Sequence, residues 1–112
     1  MSAFVPDFGD LIWLTFDPQA GHEQGGRRPA VVLSPKTYNK KSGLAVVCPV
    51  TNQAKGYPFE VPVPAGCGVT GVVLADHLKS LDWKARQAVR IGRVSQATLD
   101  ELLARLAPLL GF

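Results

Sequence analysis

Residues 10–50 read DLIWLTF-DPQAGHEQGGRR-PAVVL-SPKTYNKKSG-LAVVCPV, three apolar runs (10–16, 29–33 and 44–50) parted by two polar, glycine-bearing connections. Short runs rich in β-branched and aromatic residues, bounded by Gly, Pro, Asn and Ser, predict strands. The connection 17–28 carries Pro18, Gly21, Gly25 and Gly26 and predicts no regular element, while 34–43 predicts a short helical turn and a loop. Strands joined this closely pair antiparallel. If the three alternate in direction, the end of 10–16, the start of 29–33 and the end of 44–50 share one rim. Loops 17–28 and 51–57 then lie on the same edge.

Downstream, residues 58–63 (PFEVPV) alternate, and their prolines predict an edge or a bulge. Residues 72–75, 78–83 and 88–94 predict further short strands. The period then changes. Leu99, Leu102, Leu103, Leu106 and Leu110 fall on one face of a helix that packs on the sheet, with Ser95 as N-cap and a fray or kink expected at Pro108. The fold class expected is mainly β (α+β): a small antiparallel barrel closed by one C-terminal helix. No linker or repeat interrupts the 112 residues, so a single domain over 1–112 is expected.

Composition narrows the class. Hydrophobic residues make up 46%, which argues against disorder, and 11 Gly with 9 Pro favour turns between short strands over a helical bundle. No apolar run approaches the roughly 18 residues of a membrane span, and the opening MSAFVPDFGD lacks the basic and apolar regions of a secretory signal. A cytoplasmic protein is expected. Cys48 and Cys67 have no C-x-x-C spacing and predict buried, reduced thiols rather than a disulfide or zinc site.

The formal charge of +3 hides an asymmetry. Residues 1–26 carry four acids and no base, whereas 27–93 carry eleven Lys and Arg against Glu60, Asp76 and Asp82. A basic middle points to a polyanion or an acidic peptide, and a solvated basic surface gives the same count. Loop 17–28 supplies His22, Glu23, Arg27 and Arg28, and loop 51–57 supplies Thr51, Asn52, Gln53, Lys55 and Tyr57. Guanidinium, hydroxyl, amide and ammonium groups hold a phosphodiester and oppose developing negative charge. Tyr57, Phe59 and Trp13 or Trp83 offer rings for unpaired bases. No nucleotide-triphosphate loop or metal-ligand spacing occurs, and His22 and His77 are too far apart in sequence to suggest a ligand pair.

Four blocks taken in order resemble the MazF/PemK toxins: residues 9–13 (GDLIW), 21–34 (GHEQGGRRPAVVLS), 51–61 (TNQAKGYPFEV) and 74–83 (LADHLKSLDW). The resemblance implies a metal-independent endoribonuclease, the toxin of a toxin–antitoxin pair, needing no cofactor. Such toxins cut single-stranded RNA at short motifs and leave a 2′,3′-cyclic phosphate and a 5′-hydroxyl. It also implies an SH3-like barrel, a homodimer, and an antitoxin of the MazE type whose acidic flexible tail masks the RNA site. By motif position the catalytic residues are Arg28, Thr51 and Glu23, with the general base left open among Glu23, His22 and Arg28. The RNA contacts expected are Arg27, Asn52, Gln53, Lys55, Tyr57, Phe59 and Lys79. Arg27 and His77 depart from the family pattern, His77 standing where glutamine is common. Two alternatives use a similar barrel: a gyrase-inhibiting toxin of the CcdB type, and a nucleic-acid-binding barrel without catalysis.

Overall fold

The computed structural model describes residues 4–17, 21–22 and 24–112. Strands β1 (Asp10–Thr15), β2 (Arg27–Val32) and β3 (Leu44–Thr51) form an antiparallel centre, with helix α1 (Lys36–Ser42) between β2 and β3. Strands β4 (Glu60–Pro62), β5 (Val72–Leu74), β6 (Lys79–Asp82) and β7 (Val89–Arg93) follow, and helix α2 (Gln96–Leu110) ends the fold. A 3-10 turn, Ala75–His77, joins β5 to β6. Every strand pair is antiparallel, in the order β4-β5-β3-β2-β1-β7 with β6 beside β3. The architecture is the mainly β one with a C-terminal helix that the pattern predicts, and β4 with its Pro62 lies at the end of the order.

Strand β3 organises the sheet. Its first half pairs with β6, its middle with β2 and its last two residues with β5, so it belongs to both ends of the structure. Alternation along β1–β3 sends side chains to two cores. Leu11, Val31, Cys48 and Val50 join Val61, Val73 and helix α2 on one side. Ile12, Leu14, Ala30, Val32, Ala45 and Val47 join Leu81 and Trp83 on the other. Trp83 is therefore core, and its indole N–H donates to the Asn39 carbonyl at 2.9 Å.

Helix α1 begins after Pro35, which has no capping side chain, and the Asp7 carboxylate takes that part by accepting the Lys36 N–H at 3.0 Å. Helix α2 is capped by Ser95, whose side chain accepts the Thr98 N–H. Its leucine stripe divides. Leu99, Leu102 and Leu106 are buried, while Leu103 is 44% and Leu110 50% exposed, because the contact with the sheet is narrower than the stripe. The helix runs on through Pro108 to Leu110; so near the C-terminus the proline removes only one late hydrogen bond.

Candidate active site

The expected rim forms, with its key residues on strands rather than in loops. Arg27 and Arg28 extend β2, paired opposite Thr15 and Leu14 of β1, and Thr51 closes β3, paired opposite Val72. These placements correct the sequence boundaries: the polar residues stay in strand because their backbones complete the ladder. The β2–β3 ladder ends at the pair Ala30 and Pro49, and Arg28 and Thr51 each stand two residues beyond that pair on their own strands.

Arg28 is half-buried and its Nε–H donates to the Gly25 carbonyl at 2.7 Å, which fixes the plane of the guanidinium. Thr51 is 5% exposed, and its Oγ1 accepts the Gln53 N–H at 3.2 Å. With a lone pair so engaged, the hydroxyl proton is left to be donated elsewhere. Thr51 lies in a cleft of about 280 Å³ whose lining includes Gln24, Gln53, Lys55, Tyr57 and Glu60. Arg28 lines an adjoining depression with Trp13, Arg27, Asn52 and Thr70. Beneath the cleft, burial and then the Asp76 carboxylate push the Cys48 thiol up to about 12, so it is no nucleophile at neutral pH. Both cysteines are free, as predicted, although Cys67 is only half-buried.

Other predicted site residues separate. Gln53, Lys55 and Tyr57 line the cleft, and Tyr57 is 61% exposed, open to stack on a base. Asn52 faces the neighbouring depression and accepts the Thr70 hydroxyl at 3.0 Å. Arg27 ties strands together, donating to Thr15 Oγ1 at 3.1 Å and to the Gln87 carbonyl at 2.7 Å. Phe59, in the turn before β4, is half-buried and packs against the α2-side core. Lys79 lies in a shallower depression beside the cleft, with Asp76 and Leu78. Glu23 lies outside the described residues.

Three features escaped the sequence. The Glu60 carboxylate accepts the backbone N–H groups of Lys55 (3.2 and 3.0 Å) and Gly56 (2.9 Å) and so shapes the loop over the cleft. An acid four or five residues after a Lys-Gly pair was the available signal. Gly71 packs directly on the Thr51 carbonyl, a contact no local pattern announces. His22 and His77, too far apart in sequence to suggest a ligand pair, line the same cleft.

The profile of the family described as "PemK-like, MazF-like toxin of type II toxin-antitoxin system" matches residues 7–110. The "Endoribonuclease toxin MazF" of Escherichia coli (strain K12) is 51% identical over 111 residues, which cover 99% of each chain. Among solved structures, a crystal structure of MazF (Form-I) from Deinococcus radiodurans has a TM-score of 0.95 at 58% identity, covering 98% of this chain and 100% of that one. The MazF chain fold also recurs in a MazE-MazF crystal structure (Form-II) from the same organism, with a TM-score of 0.87 at 51% identity, covering 98% and 99% of the two chains. This chain belongs to the PemK-like, MazF-like toxin family of type II toxin–antitoxin systems.

Proposed function

We propose that the chain is a toxin endoribonuclease that cuts single-stranded RNA at a short sequence motif and is restrained by an antitoxin of the MazE type. What supports this is the placing of Arg28 on β2 and Thr51 on β3, each two residues beyond the Ala30–Pro49 pair, with Thr51 in a cleft whose loop carries Lys55 and Tyr57. The RNA supplies its own nucleophile. The 2′-hydroxyl attacks the adjacent phosphorus, the P–O5′ bond breaks, and the products carry a 2′,3′-cyclic phosphate and a 5′-hydroxyl. DNA lacks that hydroxyl and is not cut.

Arg28 serves the charged transition state. Its Nε–H is held by Gly25 and, among the described residues, its terminal amino groups have no hydrogen bond, so they reach the non-bridging oxygens as a planar fork. Thr51 donates its hydroxyl proton to one of the same oxygens, and Lys55 adds positive charge. Glu23 joins them as a candidate base. Arg27, Asn52, Gln53, Tyr57 and Lys79 hold flanking nucleotides, Tyr57 by stacking. No bound metal is required, because the attacking group and its electrophile belong to one molecule and the charge is met by side chains.

The chain acts in the cytoplasm as a single domain and a homodimer, and the antitoxin's acidic tail folds across the basic rim in competition with RNA. Labelled single-stranded RNA incubated with the purified protein in EDTA tests the activity. Fragments ending in cyclic phosphate are expected, and intact RNA under these conditions contradicts the proposal.

A further inference from the structure

The pairing of β1 with β2 continues past its last registered residues, Thr15 and Arg27. The Phe16 N–H donates to the Gly26 carbonyl at 2.8 Å, and beyond it a side chain takes the place of the next rung. The Asp17 carboxylate accepts the Gly26 N–H at 2.7 Å and so closes the base of the loop that brings Gln24 to the cleft. Gly26 takes a φ of +74°, which glycine adopts without strain. Asp17 is anchored in turn by the connection between β6 and β7. There the Arg86 Nη1 donates to the Asp17 carbonyl at 2.8 Å and to the Thr15 carbonyl at 3.3 Å.

The Gly26 N–H and the Gly25 carbonyl belong to one peptide unit, which is planar and stiff. Asp17 holds the N–H end of that unit, and the carbonyl end accepts the Arg28 Nε–H at 2.7 Å. Carboxylate, peptide and guanidinium are thus joined in one chain. An anion on the N–H polarises the peptide and makes its carbonyl the better acceptor. Turning the plane moves the Gly25 oxygen, and the guanidinium with it. The Asp17 bond is solvent-exposed, so it adds little to the stability of the fold while it directs a group in the site.

We propose that Asp17 is a positioning residue of RNA cleavage, holding the Arg28 guanidinium on the scissile phosphate through the Gly25–Gly26 peptide. The role rests on the endoribonuclease activity proposed above and on Arg28 as its phosphate ligand.

The test joins single-turnover cleavage in EDTA at saturating RNA to the NMR signal of the Arg28 Nε–H in the RNA-free protein. Asp17→Ala is expected to cut about tenfold more slowly, with RNA affinity changed less than about threefold, and to lose the protection of that N–H from solvent exchange. Asp17→Asn keeps an acceptor oxygen and should stay within about threefold of the wild-type rate, with the protection retained. In the Arg28→Ala background, Asp17→Ala should slow cutting by less than about twofold further. Where Asp17→Ala does not fold, Asp17→Val, of similar size to Asp and also without an acceptor, gives the same readings.

An unaltered Arg28 signal or a wild-type rate in Asp17→Ala overturns the proposal. So does an equal loss with and without Arg28, or an Asp17→Asn variant as slow as Asp17→Ala. A wild type that cuts no RNA overturns the activity, and the Arg28 signal then decides alone whether Asp17 holds the guanidinium.

Discussion

Gly71 passes so close to Thr51 that a Cβ built on it would stand 2.2 Å from the Thr51 carbonyl oxygen and 2.8 Å from its carbonyl carbon. Its φ of +124° is also one that side-chain-bearing residues rarely adopt. The contact is backbone against backbone, so it cannot be relieved by a rotamer change. Gly71→Ala is expected to cost at least about 2 kcal/mol in urea unfolding and to reduce RNA cleavage by displacing Thr51. Unchanged stability and activity would mean that the strand end yields freely.

Glu60 shapes the loop rather than the strand it sits on. Its bonds to the Lys55 and Gly56 N–H groups are solvent-exposed, so Glu60→Ala should change unfolding stability by no more than about 1 kcal/mol. The loop that carries Lys55 and Tyr57 should lose its shape, raising KM for RNA about tenfold, an increment of about 1.4 kcal/mol in binding. Steady-state kinetics on one RNA separates this from a fall in kcat alone.

The two neighbouring leucines of α2 should behave differently. Leu102 is fully buried and Leu103 is 44% exposed. Leu102→Ala is expected to cost about 2–5 kcal/mol in denaturant unfolding, and Leu103→Ala less than about 1 kcal/mol. Equal costs would contradict the division of the stripe.

Acid sensitivity follows from Asp7. The Lys36 N–H that its carboxylate accepts, helped by the Phe8 N–H and the charges of Arg93 and Lys36, holds its pKa below the ordinary 3.8. A depressed carboxylate contributes stability that is present above pH 3.8 and is lost as pH falls through its folded value. The stability gap between wild type and Asp7→Asn should therefore be constant near neutrality and close below pH 3.8, as followed by thermal unfolding against pH.

Local pattern carried the strands, the helix and the motif residues a long way. DLIWLTF, PAVVL and LAVVCPV alternate or run apolar because they feed two cores, and Ser95 caps α2 as its sequence indicates. The failures lie where pairing between distant segments decides. Arg27 and Arg28 read as the end of a loop rich in Gly and Pro, yet pairing with β1 keeps them in strand. Phe59 read as a ring offered to unpaired bases, yet it is half-buried against the α2-side core. Glu60, Gly71 and the meeting of His22 with His77 depend on contacts across the fold and have no local signature.

The central claim is that Arg28 and Thr51 act together on one phosphodiester. Single-turnover cleavage of a mapped RNA by folded Arg28→Ala, Thr51→Ala and the double variant tests it most directly. Each single change is expected to slow cutting by about 10²-fold or more, with the double variant slowed by less than the product of the two. Folded single variants that cut at the wild-type rate would contradict it.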